Sequence, residues 1–269
     1  MVATYLDRIL TDHRAEAARD GRPLEALIEA ARASEVKRGC SRSLTAADDG
    51  GIAVIAEVKR RSPSRGDLHT DLDPAETALA YVAGGASCLS VLTDMDHFGG
   101  SPDDLRAARA AVDVPVLRKD FTVDLRDVCD AALIGADAVL LIAAALDDAE
   151  LADFHDLALD LGLDALAEVH DEAELERVLA VGAVLVGVNQ RDLTTFQVDT
   201  DRALRIAPLI PEEVVGVAES GIRGPDDAAA LARAGYTALL VGESVVTAAD
   251  RSGAVAALRT ARPTAGWRE

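Results

Sequence analysis

At 269 residues, 49% of them hydrophobic, the chain can form one large α/β domain or two small ones around a sizeable core. Its 47 acidic residues against 27 Lys and Arg leave a net charge of −20. That charge disfavours nucleic acid or an anionic membrane as a partner and reads as a solvated acidic surface. Aromatics make up only 3%, so Ala, Val and Leu must fill the core.

The opening stretch, MVATYLDRILTDHRAEAARD, is amphipathic and charged and lacks the apolar centre of a signal peptide. TYLDRILTDHRAEAARD and PLEALIEAARAS predict two helices that precede the main fold and pack on it or cover one end. From residue 50 onward short apolar strands alternate with helical stretches. The strands are AVIAEVK (53–59), CLSVLTD (88–94), PVLRKD (115–120), AVLLIA (138–143), DALAEV (164–169), VLVGVN (184–189), VVGVAES (214–220) and ALLVGE (238–243). Their starts recur at the spacing of a strand, a helix and two loops. The stretches between them carry helical periodicity. Several open on Asp or Ser, some followed by Pro, and several close on Gly, as at Gly85, Gly135, Gly162, Gly182 and Gly235.

Eight such units predict a parallel (β/α)8 barrel, α/β in class, as a single domain over 1–269 with residues 1–45 as an N-terminal helical extension. A doubly wound open sheet is the runner-up, but no GxGxxG follows the first strand. The longest apolar run, Ala138 to Leu146, is too short to span a bilayer. Cys40, Cys88 and Cys129 lie far apart in the chain, and the five histidines show no HxH or HExxH spacing. These features predict neither a disulfide frame nor a metal site, and a reducing, cytoplasmic setting fits.

In such barrels chemistry sits at the C-terminal strand ends. There this chain places Glu57 and Lys59, Thr93 and Asp94, Arg118, Lys119 and Asp120, then Glu168, Asn189, Glu219 with Ser220, and Gly242 with Glu243. Side chains two apart share a strand face. Glu57 with Lys59, Lys119, Glu168, Asn189 and Glu219 can therefore converge on one mouth. Buried charges must pair or shift their pKa values. Glu57 and Lys59 can offset each other's burial, and a lysine among carboxylates stays protonated as an acid or electrostatic clamp. Each residue alone is as readily a solvated end or a helix cap, and Asp94 could simply start a loop. Gly221 and Gly242 after the last two strands, with a short helix beginning near Glu243, suit a phosphate. Ser62, in the first loop with Arg60, Arg61 and Ser64, can add a hydroxyl.

The stretches IAEVKRRSPSRG, SVLTDMDHFGGS, VLRKDF, GADAVLLI, GVNQRDLTTFQVD, AESGI and LLVGES together closely resemble the indole-3-glycerol phosphate synthase family, over nearly the whole chain. The resemblance implies a cofactor-free and metal-free carboxy-lyase of tryptophan biosynthesis. It would act on a small phosphorylated substrate, 1-(2-carboxyphenylamino)-1-deoxyribulose 5-phosphate, as a monomer able to associate with other enzymes of the pathway. By motif position, Lys119 resembles the general acid of ring closure. Lys59 resembles the lysine that holds the substrate carboxylate and assists dehydration, and Glu168 the other acid/base residue. Glu57 and Asn189 resemble orienting residues, and Glu219 and Ser220 line the same pocket. Ser62, Gly221, Gly242 and the Glu243 backbone resemble a phosphate cradle. Phe98, Phe121 and Leu193 resemble the apolar wall around the aromatic ring, with Arg191 near the carboxylate.

The chain departs from the pattern in two places. LRDVCDAAL stands where relatives often read YQIxEAR, and His97-Phe98 stands where they often pair two aromatics before GS. Two rival readings are a sugar-phosphate isomerase resembling phosphoribosylanthranilate isomerase and a non-catalytic phosphate-binding barrel.

Overall fold

The computed structural model describes residues 4–35, 37–46, 51–62, 65–192 and 195–259. Its centre is a closed barrel of eight parallel strands: β1 (Ala53–Val58), β2 (Cys88–Leu92), β3 (Val116–Lys119), β4 (Ala138–Ile142), β5 (Asp164–Val169), β6 (Leu185–Asn189), β7 (Val215–Glu219) and β8 (Ala238–Val241). Each strand pairs with the next in the chain, and β8 closes on β1 with Ala53 opposite Ala238. The open sheet is thus excluded.

Alternation along these strands builds two cores. Val54, Ala56, Leu89, Val91, Val116, Val139 and Leu141 face outward and pack against the surrounding helices. Ala53, Ile55, Leu117, Leu140, Leu166, Val217 and Leu240 face inward and fill the cylinder. β-branched and small residues suit both surfaces of a parallel strand covered on each face.

The helices start as the acidic sequence foretells. Asp73, Ser101, Asp124, Asp147, Asp171, Asp199 and Asp250 each accept a backbone N–H at a helix start. Much of the acid surplus therefore sits where the helix dipole favours it. The five glycines expected to end helices all have positive φ.

Among the described residues three helices precede β1, one more than the periodicity predicts: α1 (Tyr5–Ala17), α2 (Leu24–Arg32) and α3 (Cys40–Thr45). The third is a single short segment, too brief for periodicity to register. They divide the work. α1 lies over the C-terminal mouth, with Leu6 and Ile9 buried there. α2 runs along the barrel flank, where Arg32 binds Asp160; in the turn before it, Arg22 binds Asp130. α3 plugs the opposite end, where Cys40 and Leu44 join the inner core. Cys40 and Cys88 are free thiols there, their Sγ atoms 3.2 Å apart, a proximity that their spacing in the chain hides. A two-stranded hairpin (Arg61–Ser62 with Gly66–Asp67) in the first loop also went unforeseen. No helix among the described residues is long and apolar enough to cross a membrane.

Candidate active site

A cavity of about 560 Å³ opens at the C-terminal end of the barrel. Its floor is the last inward-facing residue of each strand. The register sets Glu57 beside Ser90, Glu168 beside Gly187 and Asn189 beside Glu219, which brings distant charges to one level. Lys59, one residue past β1, shares the face of Glu57 and forms an ion pair with it. Glu57 Oε2 also accepts the Ser90 hydroxyl at 3.5 Å. The pairing inferred from the sequence is therefore present.

Across the floor, Lys119 Nζ donates to Glu168 Oε2 at 2.7 Å and lies 3.5 Å from Glu219 Oε2. Asn189 Nδ2 donates to the other Glu168 oxygen at 3.0 Å. Asn189 Oδ1 accepts the Arg191 backbone N–H at 2.9 Å, which fixes the amide's orientation. Burial works against the Lys119 charge, but Glu168, Glu219 and Glu57 outweigh it and raise its pKa. Burial would likewise raise Glu168, yet Lys119, His170 and the two hydrogen bonds bring it well below the usual carboxylate range. Glu219 goes the other way, because burial and the Glu168 charge exceed what Lys119 returns. Among the described residues its Oε1 finds no hydrogen-bonding partner. At neutral pH Lys119 is therefore an ammonium, Glu168 a carboxylate and Glu219 a protonated carboxyl.

Two glycines make this crowding possible. A Cβ on Gly187 would collide with Glu219 Oε1, and one on Gly242 with Glu57 Oε1 and the Lys59 ammonium. The bare Cα of Gly242 thus gives the Glu57–Lys59 pair its room at the floor, beside any role in backbone approach to an anion.

One wall is apolar. Phe98 and Phe121 lie 6.3 Å apart, centroid to centroid, with Leu140 and Ile142 below them and Leu6 and Ile9 of α1 above. The aromatic pairing that His97-Phe98 lacks is made up from elsewhere in the chain. Tyr5 and Phe196 both line the cavity, their rings 5.1 Å apart. Arg191 lines the same side and donates to the Phe196 carbonyl at 3.2 Å.

The opposite wall is polar. Ser220 and Gly221 both have positive φ, 65° and 72°. For a serine that is a strained conformation, of the kind that accumulates at functional sites, and successive left-handed residues aim backbone N–H groups into a concavity. The Gln190 amide pins the turn through the Ser220 carbonyl at 2.7 Å. Ser62, Gly242 and Glu243 line this end too. The expected short helix begins at Glu243. The Glu243 carboxylate is engaged by Arg65 at 3.1 Å.

All the candidate site residues that fall within the described residues therefore line one cavity; Leu193 lies outside them. Leu140, Ile142, Tyr5, Leu6, Ile9, Arg65 and Phe196 were missed. For Leu140 and Ile142 the signal was there: they share the inward face of β4, but only polar strand ends were searched. The rest arrive from α1 and from loops, which no strand periodicity addresses. Asp94 starts a loop, as allowed. It caps the short helix Met95–Phe98, and its Oδ2 accepts His13 Nε2 at 3.1 Å and His97 Nδ1 at 2.9 Å.

This combination, a closed (β/α)8 barrel with paired lysines and carboxylates facing an apolar wall and a glycine-lined polar pocket, defines an acid–base barrel enzyme for a small anionic substrate. Comparison narrows the class. The indole-3-glycerol phosphate synthase family model matches residues 6–258. An indole-3-glycerol phosphate synthase of a Nocardioides species is 60% identical over 205 residues, 76% of this chain and 79% of its own. That of Mycobacteroides abscessus is 49% identical over 261 residues, 96% of this chain and 94% of its own. The chain belongs to the indole-3-glycerol phosphate synthase family. A solved thiamine phosphate pyrophosphorylase from Pyrococcus furiosus superposes with a TM-score of 0.59 at 18% identity, covering 77% of this chain and 93% of that one. At that identity it speaks for the fold alone.

Proposed function

We propose that the chain converts 1-(2-carboxyphenylamino)-1-deoxyribulose 5-phosphate to indole-3-glycerol phosphate, carbon dioxide and water. The observation that carries this reading is Lys119, held charged between Glu168 and Glu219 at 2.7 and 3.5 Å, facing an aromatic wall across a cavity whose far end suits a phosphate.

In this reading the phosphate rests against Ser62, Gly221 and the Gly242–Glu243 turn, and the anthranilate ring lies against Phe98 and Phe121. The ring carbon bearing the carboxylate attacks the ribulose carbonyl carbon. Lys119 gives a proton to the carbonyl oxygen as the carbon–carbon bond forms. Lys59, with Arg191 near it, grips the carboxylate. Release of carbon dioxide returns the electron pair of the broken bond to the ring, and an apolar setting favours that loss of charge. The new hydroxyl then leaves as water with a proton from Lys59, freed once the carboxylate is gone, while Glu168 takes the proton of the adjacent carbon. Glu57 and Asn189 hold Lys59 and Glu168 in place, and Glu219 and Ser220 line the pocket around them. The step sequence needs no metal or redox partner.

The same reading gives a cytoplasmic enzyme that works as one barrel unit under its N-terminal helices, as a monomer, with a phosphorylated small molecule as partner and neither nucleic acid nor membrane. The test is direct. Purified protein given the carboxyphenylamino substrate should produce indole fluorescence and carbon dioxide in equal amounts. A folded protein that yields neither overturns the proposal. Isomerisation of phosphoribosylanthranilate in place of ring closure would favour the isomerase reading.

A further inference from the structure

We propose that His13, Asp94 and His97 form a binding site for one divalent transition-metal ion, of the zinc, cobalt or nickel type, that fastens α1 to the barrel mouth. The proposal rests on where three ligand atoms meet. His13 Nε2 and His97 Nδ1 lie 3.1 and 2.9 Å from the same oxygen, Asp94 Oδ2, and all three atoms fall within 4.8 Å of one another. Ligands about 2.1 Å from one ion lie about 3.0 Å apart at right angles and about 3.4 Å apart at the tetrahedral angle usual for zinc, so a shift of a few tenths of an ångström opens the site to either geometry. Two imidazoles and one carboxylate suit borderline cations, whereas magnesium and calcium take oxygen donors.

The surroundings are arranged for such an ion. Asp94 is buried, and its Oδ1 is fixed by the His97 backbone N–H at 2.7 Å, which leaves Oδ2, facing the two imidazoles, to serve as the ligand atom. His97 can ligate through Nδ1 with its proton on Nε2, and that nitrogen lies 3.8 Å from Asp12 Oδ2, a carboxylate that a small side-chain movement brings into orienting hydrogen-bond range. His13 Nε2 has a second oxygen, Asp120 Oδ1, at 3.9 Å. The two rings face each other, 27° from parallel, with their nitrogens converging on the same carboxylate. In the present arrangement both nitrogens are within hydrogen-bonding distance of Oδ2. An ion enters between them when each imidazole presents its lone pair there and carries its proton on the far nitrogen.

The location gives the ion an effect on the enzyme. His13 comes from α1, whose Tyr5, Leu6 and Ile9 line the cavity. Asp94 and His97 come from the loop that carries Phe98. One ion thus ties the helix over the mouth to the aromatic wall. The spacing rules applied to the sequence could not find the site, because 81 positions separate His13 from Asp94.

The test uses the full chain without a histidine tag, stripped with a chelator. Cobalt titration should give visible d–d absorption that saturates at one ion per chain, and zinc should raise the Tm. His97→Phe, which restores the aromatic that relatives often carry there, and His13→Gln should each weaken binding at least about tenfold. Both variants should keep the far-UV circular dichroism and, without metal, turnover within a few-fold of the parent. Absence of both the cobalt bands and the Tm shift up to millimolar metal overturns the proposal. So does unchanged binding in both variants, or intense near-UV charge-transfer bands that place the ion on the cysteines. None of these readouts depends on the reaction proposed above.

Discussion

Gly187→Ala tests whether the charged floor depends on space left by a glycine. Gly187 sits inside the barrel on β6, where a Cβ would collide with Glu219 Oε1 and come within 3.3 Å of Leu166 Cδ1. Leu166 is fully buried with little room to shift, whereas the Glu219 carboxyl, 2% exposed, can move only into the cavity it lines. Overpacking of this kind costs about 1–3 kcal/mol. The loss of glycine's freedom in the unfolded chain returns about 0.4–1 kcal/mol. The net expectation is a destabilisation of about 1–2 kcal/mol, read as a lower urea midpoint at unchanged slope. The carboxyl must also swing away from Lys119, and displacements near 1 Å in a catalytic site can cost about a hundredfold in rate. Turnover should therefore fall far more than stability does. Gly216→Ala is the control. Its Cβ would point outward, where Ile210 Cδ1 at 3.3 Å, Tyr236 Cδ1 at 3.4 Å and Tyr236 Cε1 at 3.7 Å are nearest, so it crowds the outer core and not the floor, and turnover should not change. Equal behaviour of the two variants would refute the reasoning.

Three further outcomes follow from the floor. Lys119→Ala should nearly abolish turnover while leaving the far-UV spectrum intact; a variant within a few-fold of the parent removes Lys119 from the chemistry. Glu168→Gln should lower kcat more than it raises KM, and the reverse pattern would make Glu168 a binding residue. Glu219→Gln should flatten the pH dependence of stability. The folded Glu219 pKa is raised from 4.5 to about 8, so its stabilising proton is fully present below 4.5 and is lost as pH climbs to about 8. In that window it contributes a fall of at most about 1.4 kcal/mol per pH unit. Urea midpoints at pH 5, 6.5 and 8 with identical slopes for parent and variant would contradict the proton assigned to Glu219.

How far the sequence reached depends on the kind of pattern involved. The eight strands were legible because each is a short apolar run bounded by caps and glycines, and the structure moves their ends by only one or two residues. The floor was legible because alternation carries polar groups inward at Glu57, Lys119, Glu168, Asn189 and Glu219 without any knowledge of partners. α3 was illegible because one short helix has no measurable period. Tyr5, Ile9, Phe196 and Arg65 were illegible because nothing local sets the direction of a loop or the docking of a terminal helix. Contacts between distant positions decide both, as with His13 and Asp94. Leu140 and Ile142 are a different case. Their placement followed from the same alternation, and they were passed over because a pocket was sought only among polar strand ends.

The acidity of the chain and the anionic substrate proposed for it are reconciled at the level of single groups. The net charge is −20, a field that opposes an incoming carboxylate and phosphate. Much of it is anchored at helix starts, in residues such as Asp73, Asp171 and Asp250, which already cap backbone N–H groups. At the mouth the balance differs. Glu57 is neutralised by Lys59, Glu168 by Lys119 and Glu243 by Arg65, all in direct ion pairs, and Glu219 keeps its proton. Arg191 adds positive charge to the lining, Arg223 is tied to Asp227, and the lining acids Asp94 and Asp120 are met by His13 and Arg118. An anion reaching the cavity thus meets a lining whose charges largely cancel, in place of the net negative charge of the chain as a whole. Contacts with Lys59, Lys119 and Arg191 act at short range, whereas the repulsion of the distant surface acids is screened over about 8 Å at physiological salt. A protein this acidic can therefore hold an anionic ligand without any basic surface, because its acids are paired one by one where the ligand sits.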